Sequence, residues 1–257
     1  MRIKNSTTSL KTSIVDSSIL YNTGEEPSEL MLVPDNNGEL IIPLSKEITL
    51  RLIGSAKPIN LDSKRCFFLK PRRRGMAITT GPNAKFLIAK INPIYVRNIC
   101  SDLLEINNGV HEIILDSQFV RKLKMADSHK PYELEDILKQ EAHICNKDIV
   151  NSTVAESIER IKDSSGIIKV KDIYSSLKVS KSKLEQHFNR EIGLTPKEFC
   201  KIEKINSFIN MYKNNEDQNL TELTYKCGYY DQSHLIKDFK YFLETSPKKY
   251  FAHAKAV

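Results

Sequence analysis

The sequence predicts an α+β protein of two domains, a β-rich N-terminal domain with flanking helices and an all-α C-terminal domain. Three observations lead to this fold class. Short β-branched and aromatic runs alternate with turn residues from Met31 to Val96. Helical periodicity follows, and the last third of the chain then repeats one helix–turn–helix pattern. At 257 residues the chain is long enough for two domains, each with its own core.

The N-terminal strands are predicted from β-branched or aromatic runs, namely ELIIPL, EITLRLI, CFFLK, MAITT and AKFLIAKI. Between them lie DNNG, KP, PRRRG and GPN, which favour turns through positive φ, fixed φ or side-chain capping. Short strands at this spacing are typical of a compact sandwich or barrel. The preceding residues 1–28 are rich in Ser, Thr and Asn, and we expect them to be poorly ordered.

Two apolar stripes at helical spacing follow the strands. The first consists of Ile94, Val96, Ile99, Leu103, Leu104 and Ile106, and the second of Leu134, Ile137, Leu138 and Ile144. No linker rich in Gly or Pro separates the domains. We place the boundary near residues 146–151 and assign residues 1–148 and 149–257 to the two domains.

The repeated pattern covers residues 173–199 and 220–250. In both copies four positions are separated by 4, 4 and 8 residues: Ser180, Leu184, Phe188 and Pro196, then Asp231, Leu235, Phe239 and Pro247. Leu and Phe four residues apart bury together on one helical face, so the positions between them point outward. Two such units place two exposed helices side by side, the geometry that reads two successive major grooves of DNA.

Capping residues indicate where these helices begin and end. Asn219 with Glu222 and Thr195 with Glu198 are capping-box pairs, and Gly193 stands where the first reading helix must stop. From Pro196 to about Tyr212 no residue breaks the helix. We expect one helix there of about 17 residues, roughly 25 Å long. Such a spacer holds the reading helices about one DNA turn apart, near 34 Å.

These residues resemble the AraC/XylS family of bacterial transcription regulators over roughly residues 151–253. The family pattern of the first motif stands as Leu184, Phe188, Gly193, Thr195, Pro196 and Phe199, and that of the second as residues 228–235, Phe239, Lys240 and residues 246–250. Three residues depart from the pattern: Glu244 replaces Gly, Lys204 replaces Arg and Phe208 replaces a small residue. Glu244 concerns the left-handed helix stop, where a side chain is strained and Gly is not.

The resemblance implies a bacterial, cytoplasmic and nucleoid-associated transcription regulator, an activator rather than a repressor. Its partners would be double-stranded promoter DNA and RNA polymerase. The β-rich domain would be cupin-like and would sense a small-molecule effector or form a homodimer. A second function stays open, a ligand-binding or protein-interaction module that keeps a degenerate DNA-binding domain.

The candidate DNA-binding residues are the outward-facing positions of the two reading helices. They are Lys181, Ser182, Lys183, Gln186 and Arg190 in the first helix, and Gln232, Ser233, Ile236, Lys237 and Lys240 in the second. Gln pairs with adenine, Lys donates to guanine, and an aliphatic side chain packs against the thymine methyl group. We expect Lys183, Arg190 and Lys240, at the helix margins, to contact phosphates. The alternative for some of these residues is a solvated helix surface.

The run Lys70–Gly75 is the densest concentration of charge. It is either a solvated turn or an anion-binding loop, in which Arg72, Arg73 and Arg74 would bind an acidic effector.

The composition and the motifs of the chain limit the classes of function that we expect. The net charge of +7 suits an anionic partner. The five cysteines show no zinc-site spacing, and residues 31–96 contain no His. With no phosphate-binding or nucleophile motif either, we expect neither an enzyme nor a metal or other cofactor. We also expect no membrane partner, because the chain shows neither a signal peptide nor an apolar run of membrane-spanning length.

Overall fold

The computed structural model describes residues 2–7, 13–55, 57–100, 104–107, 110–113, 117–125, 130–140, 151–214 and 219–255. The chain divides into two compact units. The first consists of Met1–Leu32, Asn37–Pro71 and Ala77–Val150, and the second of Val33–Asn36, Arg72–Met76 and Asn151–Val257. The boundary that the sequence places between residues 148 and 149 lies outside the described residues, so that assignment stays a prediction.

A seven-stranded sheet is the larger layer of the first unit, and all its neighbouring strands are antiparallel. Its strands, in spatial order, are β1 (Arg2–Thr7), β2 (Val15–Asn22), β9 (Lys85–Ile91), β4 (Gly38–Pro43), β7 (Cys66–Leu69), β11 (Val110–Ile113) and β10 (Leu104–Asn107). Strands β4 and β7 lie near the centre and are buried along their whole length.

A smaller, four-stranded sheet has the order β3 (Ser28–Leu32), β8 (Met76–Thr80), β5 (Ile48–Leu52) and β6 (Ile59–Asn60). Among the strands that the structure describes, none of one sheet pairs with a strand of the other. The expectation of a β-rich first half is therefore confirmed in its open, two-sheet form, and the described strands do not close into a cupin-like barrel.

The first residues of the chain correct the sequence prediction. Instead of being poorly ordered, residues 2–7 and 15–22 form β1 and β2, and β2 pairs with β9 from Val15 to Asn22. The physical reason is packing across strands: Val15 is fully buried, and the Tyr21 ring stacks on Phe86 of β9 with 4.8 Å between centroids. A polar composition did not reveal these few, widely spaced core contacts.

The first apolar stripe after the strands was also predicted wrongly as one helix. A 3-10 turn (Pro93–Tyr95) and helix α1 (Val96–Cys100) account for its beginning, but Leu104 and Ile106 lie in strand β10. Leu104 and Ile106 alternate with polar residues, which is the strand period, and Asn108-Gly109 after them is a hairpin signal. Leu103 lies outside the described residues.

The core of the first unit joins the seven-stranded sheet to helices α1, α2 (Ser117–Met125) and α3 (Pro131–Gln140). Leu40, Phe68 and Leu87 of the sheet share one buried cluster with Leu134 and Leu138 of α3. The second predicted stripe is thus confirmed over α3, and its last member, Ile144, lies outside the described residues.

The long segment of the second unit is helical, as predicted. Its helices are α4 (Ser152–Asp163), α5 (Val170–Ser176), α6 (Lys181–Glu191), α7 (Pro196–Asn214), α8 (Leu220–Lys226), α9 (Gln232–Leu243) and α10 (Pro247–Lys255). Pairs α5–α6 and α8–α9 are the two helix–turn–helix motifs, and α7 joins them over 19 residues. Within the described part of the chain, no helix is both long and apolar enough to span a membrane.

The aromatic core of this unit connects α7 to both motifs. Phe199 of α7 meets Phe188 of α6 edge-to-face, with 5.8 Å between ring centroids. Phe208 of α7 meets Phe239 of α9 in the same manner, also at 5.8 Å. Phe208, where the family pattern has a small residue, is fully buried. The periodic Leu and Phe positions predicted to bury together therefore do so.

Candidate nucleic-acid interface

The two reading helices begin in the same way. The Ser180 hydroxyl accepts a hydrogen bond from the backbone N–H of Lys183 at 3.2 Å, and the Asp231 carboxylate accepts one from that of His234 at 2.7 Å. Both residues are N-caps that satisfy the third helical N–H. Ser180 and Asp231 are also the aligned first positions of the repeat, so α6 and α9 start at equivalent points and present equivalent faces.

The faces of α6 and α9 that point away from the core carry the residues predicted to contact DNA. Those of α6 are all exposed: Lys181, Ser182, Lys183, Gln186 and Arg190. In α9 Ser233, Lys237 and Lys240 are exposed, whereas Gln232 and Ile236 are half-buried. Leu184 and Phe188 are buried behind the first set, and Leu235 and Phe239 behind the second. This placement is what DNA contact requires, and the contact itself stays a prediction.

Three of these side chains already have partners within the unit. Lys181 Nζ lies 3.8 Å from a Glu185 carboxylate oxygen. An Arg190 guanidinium nitrogen lies 2.7 Å from a Glu191 carboxylate oxygen, and the buried Glu191 also accepts the backbone N–H of Asn151 at 2.9 Å. Gln232 Nε2 donates to the Thr221 hydroxyl at 2.7 Å. Arg190 and Gln232 are therefore partly fixed in position before any DNA is bound.

Sequence reasoning missed the groups that hold the second motif against α7. Lys201 Nζ lies 2.8 Å from an Asp238 carboxylate oxygen, and the Asp238 side chain is only 4% exposed. Lys204 Nζ donates to the Gly228 carbonyl at 3.0 Å and lies 5.5 Å from the Tyr229 ring centroid. Lys204, where the family pattern has Arg, thus serves as a donor to the turn of the motif. Asp238 stands between Leu235 and Phe239, where the periodicity predicts outward-facing positions. That prediction is wrong for Asp238, whose carboxylate is buried against Lys201.

The predicted capping box at the start of α7 is present. The Thr195 hydroxyl accepts the backbone N–H of Glu198 at 3.2 Å, and the Glu198 carboxylate accepts the backbone N–H of Thr195 at 2.8 Å. Burial of the Glu198 carboxyl acts to raise its pKa, but hydrogen bonds from Thr195 and Arg73, with the charge of Arg73, outweigh burial and lower it.

Each of the two reading helices, α6 and α9, is followed by a residue in the left-handed conformation, as expected. Gly193, just past the end of α6, has a φ of 85°. Glu244, which ends α9 where the family pattern has Gly, takes the same left-handed region with a φ of 54°. The stop is kept although a side chain is strained there.

The arginine run, for which the sequence leaves open a solvated turn or an effector-binding loop, lies in the Arg72–Met76 segment of the second unit. Arg73 Nε donates to the Glu198 carboxylate, and Arg74 Nη1 lies 2.8 Å from the Glu244 carboxylate. An anionic ligand at these guanidiniums would have to compete with the two carboxylates. The effector role of Arg72, Arg73 and Arg74 stays a prediction.

Cys66, Cys200 and Cys227 are buried thiols. Burial raises the pKa of Cys66 to about 12 and that of Cys200 to about 11, so both stay protonated at neutral pH. Among the described residues, no group of three His, Cys, Asp or Glu side chains is arranged to hold a metal ion.

The second unit matches a known domain family. Residues 174–253 match the family described as "Helix-turn-helix domain", which is of the AraC type. No curated protein sequence matches the chain.

Solved structures of ToxT from Vibrio cholerae are similar to nearly the whole chain. One is 14% identical with a TM-score of 0.56, covering 91% of this chain and 96% of that one. A second, of ToxT bound to (E)-4-(8-methylnaphthalen-1-yl)but-3-enoic acid, is 13% identical with a TM-score of 0.55, covering 97% and 98%. A third, of ToxT bound to an unsaturated fatty acid, is 12% identical with a TM-score of 0.56, covering 91% and 93%.

At these identities the ToxT likeness shows a shared fold, and the domain match identifies the part of the chain that carries the repeated motif. Both agree with the geometry of α5 to α10. Residues 174–253 are an AraC-type helix-turn-helix domain, and the chain is a DNA-binding transcription regulator whose two-domain fold is similar to that of ToxT.

Proposed function

We propose that this regulator binds promoter DNA sequence-specifically, with α6 and α9 reading two adjacent major grooves, and that it activates transcription. The observation that carries the proposal is the equivalence of the two motifs. Ser180 and Asp231 cap their helices at the same helical position. Ser182, Lys183 and Gln186 are exposed in the first helix, and so are their counterparts in the second, Ser233, His234 and Lys237. Equivalent helices joined by a helical spacer are suited to a site of two half-sites on one side of the duplex.

The length of α7 sets the spacing. Its 19 residues correspond to roughly 28 Å at 1.5 Å per residue. One turn of B-DNA needs about 34 Å between groove centres. Where the reading helices fall short of that distance, bending the DNA toward the protein closes the gap at a cost of about 1–6 kcal/mol. Flexible pyrimidine–purine steps between the half-sites would lower that cost.

The exposed residues divide into base readers and phosphate contacts. Gln186 and Gln232 are suited to adenine, Lys181 and Lys237 to guanine, and Ile236 to a thymine methyl group. Lys183, Arg190 and Lys240 would bind phosphates, since cationic side chains at helix margins position the protein on the duplex.

The test of this function is selection of duplexes from a random library by the full-length protein. We expect an enriched site with two half-sites about 10 base pairs apart, bound much more tightly than random DNA and more weakly as salt rises. Enrichment of no sequence over random DNA would favour the alternative, a ligand-binding or interaction module with a degenerate DNA-binding domain. Activation is tested by transcription in vitro with bacterial RNA polymerase, from a template that carries the selected site upstream of a promoter.

We also propose that a carboxylate ligand regulates the protein. Two observations support this: ligand-bound ToxT structures, both with carboxylic acids, share the fold, and Arg72–Arg74 provide cationic groups. Oleate, with its methyl ester as the uncharged control, is a direct probe. Regulation by a carboxylate predicts that oleate raises the melting temperature and the ester does not, and that Arg72→Ala/Arg73→Ala/Arg74→Ala abolishes the difference. Equal effects of the two compounds would contradict it.

A further inference from the structure

The amide of Gln232 is held by a residue of the preceding helix. Gln232 is the first residue of α9, and its Nε2 donates to the hydroxyl of Thr221 in α8 at 2.7 Å. Both residues are half-buried. Thr221 is itself fixed, because its backbone N–H donates to the Asn219 side chain at 2.9 Å at the start of α8.

A glutamine amide has two N–H donors and one oxygen acceptor. The Thr221 hydroxyl engages one of the donors, which leaves the second N–H and the oxygen. Adenine presents the matching pair in the major groove, the N7 acceptor and the N6 amino donor. One hydrogen bond to Thr221 is thus compatible with bidentate pairing of Gln232 to adenine.

We propose that Thr221 is a positioning residue for sequence readout: its hydroxyl orients the Gln232 amide before DNA arrives and so sharpens the preference for adenine at one base pair. This inference rests on the proposed function, in which Gln232 reads a base. Its physical basis is that a side chain already ordered in the free protein loses less freedom on binding.

The first motif lacks this device. Thr221 is the second residue of α8, and the second residue of α5, the equivalent helix of the first motif, is Lys171, which has no hydroxyl. Lys181 is the counterpart of Gln232, and its Nζ instead lies 3.8 Å from a carboxylate oxygen of Glu185 on the same helix. Thr221 should therefore affect only the half-site read by α9.

The test uses the full-length protein and the duplex that it selects, with each base pair substituted in turn. Gln232→Ala first identifies the base pair at which discrimination is lost. Thr221→Val removes the hydroxyl but keeps the shape and the backbone N–H bonded to Asn219. We expect it to weaken binding to the selected duplex by about two- to tenfold, to reduce discrimination at that same base pair, and to leave affinity for random DNA unchanged.

Three further variants separate positioning from general structure. Thr221→Ser keeps a hydroxyl and should bind like wild type. Thr221→Val/Gln232→Ala should bind no more weakly than Gln232→Ala, because the hydroxyl acts through the amide. Thr79→Val, a matched change at an exposed position of β8, should have no effect. Thermal unfolding of each variant checks that the fold is kept.

The proposed function and the positioning role of Thr221 would fail with different experimental results. If wild type discriminates no sequence at all, the proposed function is wrong. If Gln232→Ala loses discrimination at one base pair while Thr221→Val keeps it, the function stands and the positioning role is overturned. Equal weakening of Thr221→Val on every duplex, random DNA included, would also overturn it, since that result indicates a phosphate contact.

Discussion

Asp238, buried in the second reading helix, accepts a hydrogen bond from Lys201 of the joining helix α7 at 2.8 Å. The carboxylate is 4% exposed and the Lys201 side chain is 36% exposed. Lys201→Met would leave the charge of Asp238 buried without this cation. We expect this to lower the free energy of unfolding by about 1–3 kcal/mol, measured by chemical denaturation.

Lys197→Met is the matched control for that variant, because Lys197 is an exposed lysine of the same helix. It should change stability by less than about 0.5 kcal/mol. Lys201→Met/Asp238→Ala should be more stable than Lys201→Met alone, since the buried charge is gone. A double variant that is less stable than Lys201→Met would show that the pair does not act in this way.

Glu198 gives the second unit a defined dependence on pH. Its pKa is lowered from 4.5 in the folded protein. A carboxyl with a depressed folded pKa contributes stability above its unfolded pKa and loses that contribution as the pH falls through the folded value. We expect wild type to be more stable than Glu198→Gln at neutral pH, and the difference to shrink as the pH falls below about 4.5.

Glu222→Gln is the control for the pH experiment, because Glu222 has the equivalent position in α8, three residues after its N-cap, and is exposed. Thermal unfolding across the acidic range should show little change for it. A Glu198→Gln difference that persists unchanged at low pH would contradict an electrostatic role for Glu198.

Glu244 holds a strained conformation that Gly would relieve. Its φ is 54°, a region that costs a side-chain-bearing residue about 1–2 kcal/mol. Its ion pair with Arg74 is exposed on both sides and contributes little. We expect Glu244→Gly to raise the free energy of unfolding by about 0.5–1 kcal/mol. Glu244→Gln, which removes only the charge, should be neutral or slightly destabilising. If Glu244→Gly is less stable than Glu244→Gln, the left-handed conformation of Glu244 does not destabilise the protein.

Two glycines at helix ends should respond differently to one added methyl group. Both have a left-handed φ, 76° for Gly166 and 85° for Gly193. A Cβ at Gly166 would lie 2.2 Å from the Cys200 carbonyl oxygen, whereas nothing lies within 4 Å of one at Gly193. We expect Gly193→Ala to cost about 1–2 kcal/mol and Gly166→Ala about 2–5 kcal/mol by denaturation. Equal costs would contradict the packing assigned to Gly166.

The sequence predicted the parts of the fold that depend on local periodicity. Leu184 and Phe188 bury one face of α6, and the reciprocal pair Thr195–Glu198 opens α7, because both relations span only three or four residues. The strand β10 was missed because Ile99, Leu103 and Ile106 have the helical spacing i, i+4, i+7, and two alternating apolar residues are too short a run to reveal a strand.

Contacts between elements left no such signal. Lys201 and Asp238 are 37 residues apart, and Thr221 and Gln232 are 11 apart in different helices. A polar pair of this kind becomes visible only when the helices are placed in three dimensions. The sequence therefore indicates which positions of α6 and α9 face outward, and the structure adds which neighbours hold them there.

Reading of bases by α6 and α9, each in its own groove, is tested most directly by the affinities of Gln186→Ala and Gln232→Ala for the selected duplex and for random DNA. Arg190→Ala is measured alongside them. We expect each Gln variant to lose about 1–3 kcal/mol of binding free energy on the selected duplex and little on random DNA, at base pairs in different half-sites. Arg190→Ala should weaken both duplexes alike and reduce the salt dependence. Wild-type affinity of both Gln variants for the selected duplex would contradict the assignment of these two helices as the reading surfaces.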